Sequence, residues 1–332
     1  MATYKEVNGT AVQNVAGDPS NPVEGEVWYN SSTGSFRAYK QNTAGAWATA
    51  TSLNSGRYYL SGAGTQTSGL VFSGISPYRL TESYNGTNWT EVNDLNIRHR
   101  EGAGCGASNT AALAFGGSNA SDTGQNETET WNGSNWTEVA NLNTARKGLA
   151  GCGTNTAALA FGGRPAPSPG SNGNAETETW NGSNWTEVNN LNTARFQLSG
   201  AGTNTSALAF GGQATPGFQA ATELWNGSNW TEVNDLNFPR VQGAGCGASN
   251  TAALAFGGQV DGANGQSTES WNGTNWTSIG DLNVGRRNLT GAGTKTAALA
   301  VGGEPPNGPP NSPSSTEEFN APALQIQTIT TS

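Results

Sequence analysis

Two charged residue types recur at fixed places in this chain. An arginine closes a Leu-Asn-x-x-Arg stretch at Arg57, Arg146, Arg195, Arg240 and Arg286, and a sixth copy carries His99 there, between Arg98 and Arg100. A glutamate follows threonine in a Thr-Glu-x-aromatic stretch at Glu82, Glu129, Glu178, Glu223, Glu269 and Glu317. Such a set could line a charged pore or an anion site, or it could form buried ion pairs. The planar guanidinium fork matches a carboxylate in a way that lysine cannot. The two residues also recur as regularly as the stretches around them. We therefore expect each arginine to sit on a glutamate of the same or the next copy as a structural pair.

Other reactive side chains are few. His99 is the only histidine, and zinc hydrolysis asks for several His or Cys ligands. No Gly-x-Ser-x-Gly elbow accompanies it. Cys105, Cys152 and Cys246 occupy one position of the repeat, where other copies carry Ala63, Ala201 and Ala292. An interchange of Cys and Ala beside glycine reads as a small buried hydrophobe, not as a redox or metal site. No catalytic residue, cofactor or metal is expected. Of eleven tryptophans, ten fall at repeat positions or their N-terminal equivalent, so packing is their first explanation. Trp28, with Tyr29 beside it, stands outside the repeat and is expected on an exposed arm, where it would serve docking.

The elements that hold these residues follow from the repeat. Gly-Gly pairs begin at Gly116, Gly162, Gly211, Gly257 and Gly302, with a degraded copy at Ser73-Gly74, and neighbours are 43 to 49 residues apart. A period near 40–50 made of short strands signals propeller blades. Each copy offers four strands. Strand A is Gly/Ala-rich and follows the arginine corner; strand B is Ala-Ala-Leu-Ala-Phe before Gly-Gly. Strand C is Thr-Glu-x-Trp and strand D is Asn-Trp-Thr-Glu-Val. The Trp-Asn-Gly-Ser/Thr-Asn-Trp links read as tight C–D turns, with Asn-Gly supplying the positive φ. The last copy ends at Phe319 without a D strand, and an orphan D-type strand around Trp47 lies at the other end. We expect residues 46–50 to complete the final blade and close a ring of six, which removes open sheet edges.

Composition limits the rest. Charged residues are 12% of the chain, about half the usual ~25%, and the net charge is −9 with no Lys/Arg run. Nucleic-acid binding needs basic groups on phosphates, so no nucleic-acid partner is expected. No apolar run of ~18 residues suggests a membrane span, and no apolar h-region marks a secretory signal. Residues 1–40 read as a polar arm with a β-hairpin, 41–322 as the repeat ring and 323–332 as a tail.

The pattern of arginine, strand, apolar strand ending in Gly-Gly, Glu-x-aromatic strand and tryptophan resembles the Kelch-type β-propeller repeat, over residues 46–320. The expected fold is all-β: a six-bladed Kelch-like β-propeller closed by an N-terminal strand. The stretch Pro22-Val-Glu-Gly-Glu-Val-Trp-Tyr-Asn30 also resembles the arms of adhesin and tail-fibre proteins of marine bacteriophages. That resemblance implies a virion protein, assembled in the host cytoplasm, bound to other virion proteins through its arm and part of an oligomeric assembly. One His cannot supply the ligand set of Kelch-fold copper oxidases, and the turns lack the aspartate of sialidase-type propellers.

The expected function is therefore non-enzymatic attachment to a host-surface glycan or protein, or to neighbouring virion proteins. A glycan-binding lectin is the alternative, and a polysaccharide hydrolase ranks below it for want of an acid/base pair. Contacts are expected on the loops between strands B and C, which vary while the strands do not. Tyr78, Arg79, Asp122, Arg164, Phe218 and Asp261 are the candidates there. Neutral drift of solvated loops accounts for the same variation.

Overall fold

In a computed structural model the chain divides into two compact units, residues 46–320 and residues 1–45 with 321–332. The structure describes residues 12–19, 26–41, 45–75, 78–165, 173–260, 265–305, 314–321 and 324–329. Among these, every regular element is a β-strand.

The larger unit holds six four-stranded antiparallel sheets among the described residues. The third, typical of the set, runs Ala150–Gly153, Ala158–Phe161, Thr177–Trp180 and Trp185–Val188 in chain order. One sheet is assembled differently: Thr290–Gly293, Ala297–Val301 and Thr316–Asn320 are joined by Ala46–Ala50, with Phe319 opposite Trp47. The innermost strand of each sheet packs on that of the next, and Thr290–Gly293 packs in turn on Tyr58–Thr65.

Packing between sheets explains the glycines of strand A. A Cβ added at Gly104, Gly200 or Gly245 would lie 2.5 Å from Cζ of a phenylalanine on strand B of the preceding sheet. Real contacts are never that short, so the ring takes the space the glycine leaves. The same phenylalanines meet strand-D tryptophans edge-on, for example Phe161 and Trp230 with centroids 5.0 Å apart. Such edge-to-face aromatic pairs contribute about 0.5–1.5 kcal/mol beyond area burial.

A second tie was not legible as a motif. Each strand-D tryptophan donates its indole N–H to the threonine before the strand-C glutamate of the neighbouring sheet. Trp136 donates to Thr81, Trp185 to Thr128, Trp230 to Thr177, Trp276 to Thr222, Trp47 to Thr268 and Trp89 to Thr316, at 3.0–3.1 Å. A buried indole N–H left without an acceptor would be costly, which accounts for threonine at that place in all six copies.

The C–D links differ in detail from a two-residue hairpin. In Trp131-Asn-Gly-Ser-Asn-Trp136 the positive φ belongs to Gly133 alone (93°). Asn132 instead accepts the amides of Ser134 and Asn135, both at 2.9 Å, in an Asx turn.

The smaller unit is a sheet of Gln13–Val15, Val27–Asn30, Ser35–Gln41 and Leu324–Thr328 in that order. The segment expected as a C-terminal tail thus supplies an edge strand, with Arg37 opposite Thr328. Trp28 is not exposed: it is fully buried and donates to the Asp18 carboxylate at 3.1 Å. Alternation along the strand is the reason, since Trp28 and Asn30 share the covered face while Val27 and Tyr29 share the other. On that other face Tyr29 meets Phe36 edge-on at 5.2 Å, and Val27 and Phe36 are exposed.

Candidate functional site

The recurring charges lie inside the sheets. Arg57–Glu82, Arg146–Glu178, Arg195–Glu223, Arg240–Glu269 and Arg286–Glu317 make contacts of 2.5–3.0 Å with side chains at most 2% exposed. Each pair joins the arginine corner to strand C of the same sheet. His99 Nε2 lies 3.3 Å from Glu129 in the sixth position. The corner asparagine completes the arrangement: Asn192 donates its backbone N–H and its amide to Glu223 Oε2 at 2.7 and 2.9 Å. Burial holds the arginine pKa values below their ordinary range, that of Arg286 at about 10. These carboxylates are buried against cations and corner amides and face no solvent.

The innermost strands enclose a central channel lined by residues of all six sheets. Cys105, Cys152 and Cys246 flank its inner part. All three are buried, and their thiols point at backbone carbonyls of Thr154, Thr203 and Thr294 at 3.5–3.6 Å. Burial pushes the Cys152 thiol up to about 12 and raises the other two as well. Thiolate is the reactive form, so the native protein should not react with a thiol-specific disulfide reagent at pH 8. In denaturant it should release three equivalents. Rapid labelling of the native protein would contradict this packing.

The end of the channel nearest the arginine corners is built from the second residue after each of them: Tyr59, Glu101, Gly148, Gln197, Gln242 and Asn288. All six have left-handed backbone, with φ between 52° and 63°. For five of them the amides explain it. Tyr59 N–H donates to the Asn288 carbonyl, Asn288 to Gln242, Gln242 to Gln197, Gln197 to Gly148 and Gly148 to Glu101, at 2.6–3.1 Å. Each of these five turns so that its N–H reaches the carbonyl of the sheet before it. Only one copy uses glycine, the residue that tolerates this conformation best. The other five side chains are held there at a cost on the order of 1 kcal/mol each.

Around this mouth the charges pair among themselves. Lys147 Nζ lies 2.5 Å from Asp122 and 3.8 Å from Glu101, and Arg100 lies 3.4 Å from Glu101. Arg287 contacts Glu304 at 2.7 Å, and Asn288 donates to the same oxygen at 2.7 Å. Burial raises the Glu101 pKa, partly offset by Lys147 and Arg100. Burial, then Glu101 and Glu304, pushes the Tyr59 phenol up to about 12.

The loop candidates fall in separate places. Asp122 and Arg164 join Lys147, Arg164 through a backbone bridge and by lying 4.4 Å over the Phe196 ring. Tyr78 packs under Arg98 at 4.5 Å, and Arg79 donates to the Asn96 carbonyl. Phe218 is on a short hairpin opposite Gln213. Asp261 lies outside the described residues. Sequence reasoning missed the mouth residues, although one signal for them exists. Two positions after a corner that is arginine in five of six copies, the six copies carry five different residue types.

The solved structure titled "Structure of YjhT" matches over 84% of this chain and 99% of its own, with a TM-score of 0.67 and 11% identity. The larger unit is a β-propeller. No family model matches the sequence, and no curated protein matches it. At 11% identity the likeness extends to the fold alone. The propeller therefore supplies a frame, and its mouth and loops must be judged by their own chemistry.

Proposed function

We propose that the chain is a non-enzymatic attachment protein of a phage particle: a six-bladed Kelch-like propeller, closed by residues 46–50, that displays one variable face. The observation that carries this reading is a division of labour among the copies. Strands, corners and ion pairs repeat almost unchanged and spend their charges on the scaffold. The residues that differ gather at the channel mouth and on the loops between strands B and C. A rigid frame with a varied face suits recognition of a host-surface glycan or protein, or of a neighbouring virion protein. The pairing of Ala46–Ala50 with Thr316–Asn320 and the Trp89–Thr316 hydrogen bond support ring closure.

The smaller sheet is the part that meets other virion proteins. Val27, Tyr29 and Phe36 form its apolar strip, in place of Trp28. Charges placed on exposed positions leave a fold largely unchanged, so the double substitution Val27→Lys and Phe36→Asp tests docking alone. The variant should be soluble and melt like the parent, yet be missing from purified particles by electron microscopy and immunoblot. Normal incorporation would remove the docking role.

A further inference from the structure

We propose that the channel mouth is a single axial subsite for the neutral pyranose end of a glycan, read by Tyr59, Gln242 and Glu101. The proposal names a ligand class for the displayed face and rests on the attachment reading only for where the glycan is found.

The first support is what lines the mouth. Leu60, Leu149, Leu198 and Leu289 form its floor, and Tyr59, Glu101, Gln197, Gln242 and Asn288 form its rim. A pyranose presents apolar C–H faces and a girdle of hydroxyls, so an apolar floor under a rim of amides and a phenol is complementary to it. The cavity holds about 90 Å³, room for the end of a ligand and not the whole of one.

The second support is the state of the polar groups. Gln242 Nε2 donates to the Tyr59 phenol oxygen at 3.3 Å, which leaves the phenol proton to donate. With its pKa at about 12, Tyr59 keeps that proton at any physiological pH. Glu101 is 7% exposed, and its Oε2 has no hydrogen-bond partner. A carboxylate whose charge is already balanced by Lys147 and Arg100 has little use for a further cation, and its buried Oε2 can accept from a ligand hydroxyl once the side chain turns toward the mouth. Arg287 pairs with Glu304, so three cations and three carboxylates are matched at this end, with Arg164 over the Phe196 ring as a further cation near Glu101 and Asp122.

The third support is that four side chains besides Asn288 are kept where the backbone favours glycine, as Gly148 shows is feasible at this position. Replacing one by glycine therefore removes a rim group without straining the ring. That separates a binding role from a structural one.

The test uses the full chain with methyl glycosides of neutral hexoses and N-acetylhexosamines, and with glucosamine and a sialoside as charged counterparts. Saturation-transfer NMR should show binding of at least one neutral glycoside, with Kd on the order of millimolar for so small a ligand. Gln242→Gly should weaken it at least tenfold while the melting temperature stays the same or rises, and Tyr59→Phe should weaken it severalfold. No transfer to any neutral glycoside, preference for a charged one, or unchanged binding in both variants would overturn the assignment. If no sugar binds but particles lacking the protein lose attachment, the attachment role stands and this subsite does not.

Discussion

Replacing Arg195 with alanine lowers the melting temperature by about 10 °C, because it leaves the Glu223 carboxylate buried without its cation. Both side chains are fully buried, and Glu223 remains fixed by Asn192 after the change. Breaking one side of such a pair costs about 3–5 kcal/mol, and in a domain of this size each kcal/mol moves the midpoint by roughly 2–4 °C. The double variant Arg195→Met with Glu223→Gln should recover much of the loss. The charge is then gone, while the glutamine oxygen still accepts from Asn192. Thermal denaturation followed by circular dichroism reads both. An unchanged midpoint for Arg195→Ala would mean that the pair is not part of what holds the sheet to its corner.

The second large effect concerns the seam. Trp47 and Trp230 occupy the same place in different sheets, each about 5% exposed, each donating to a buried threonine and each packed on a strand-B phenylalanine. Truncating a buried tryptophan to alanine costs about 3–5 kcal/mol. Trp230 lies inside a continuous stretch of chain, whereas Trp47 reaches its sheet from far away in sequence. If residues 46–50 are a full member of a closed ring, Trp47→Ala and Trp230→Ala should destabilise equally, within about 0.5–1 kcal/mol in denaturant titrations. A loss for Trp47→Ala less than half that for Trp230→Ala would show a seam that opens, with the ring held by the remaining sheets.

Repetition makes this fold unusually open to reading. The four strands of each sheet fall where Gly-Gly, Thr-Glu and Trp-Thr-Glu place them, because a repeated sequence must meet the same neighbours in every copy. The arginine and glutamate that recur together have little choice but to find each other, since neither survives burial alone. The small residue at the Cys/Ala position is legible for the same reason.

What the sequence could not display were relations between copies and departures from them. Threonine before the glutamate reads as an ordinary strand residue until the tryptophan of the adjacent sheet is seen to donate to it. Trp28 reads as exposed because it stands outside the repeat, and only strand pairing with its neighbours shows which face is covered. Likewise nothing in residues 324–328 announces that they complete the sheet begun near the other end of the chain.

By itself, then, the sequence determined the strand content, the repeat and that its recurring arginines and glutamates pair, all of which depend on local pattern and on the cost of leaving a charge alone; that each pair lies within one sheet was decided by the structure. Only the tertiary structure decided the channel mouth. Its six residues are about 40 to 50 positions apart, are of five different types, and become neighbours because the amides of five of them reach across from one sheet to the next.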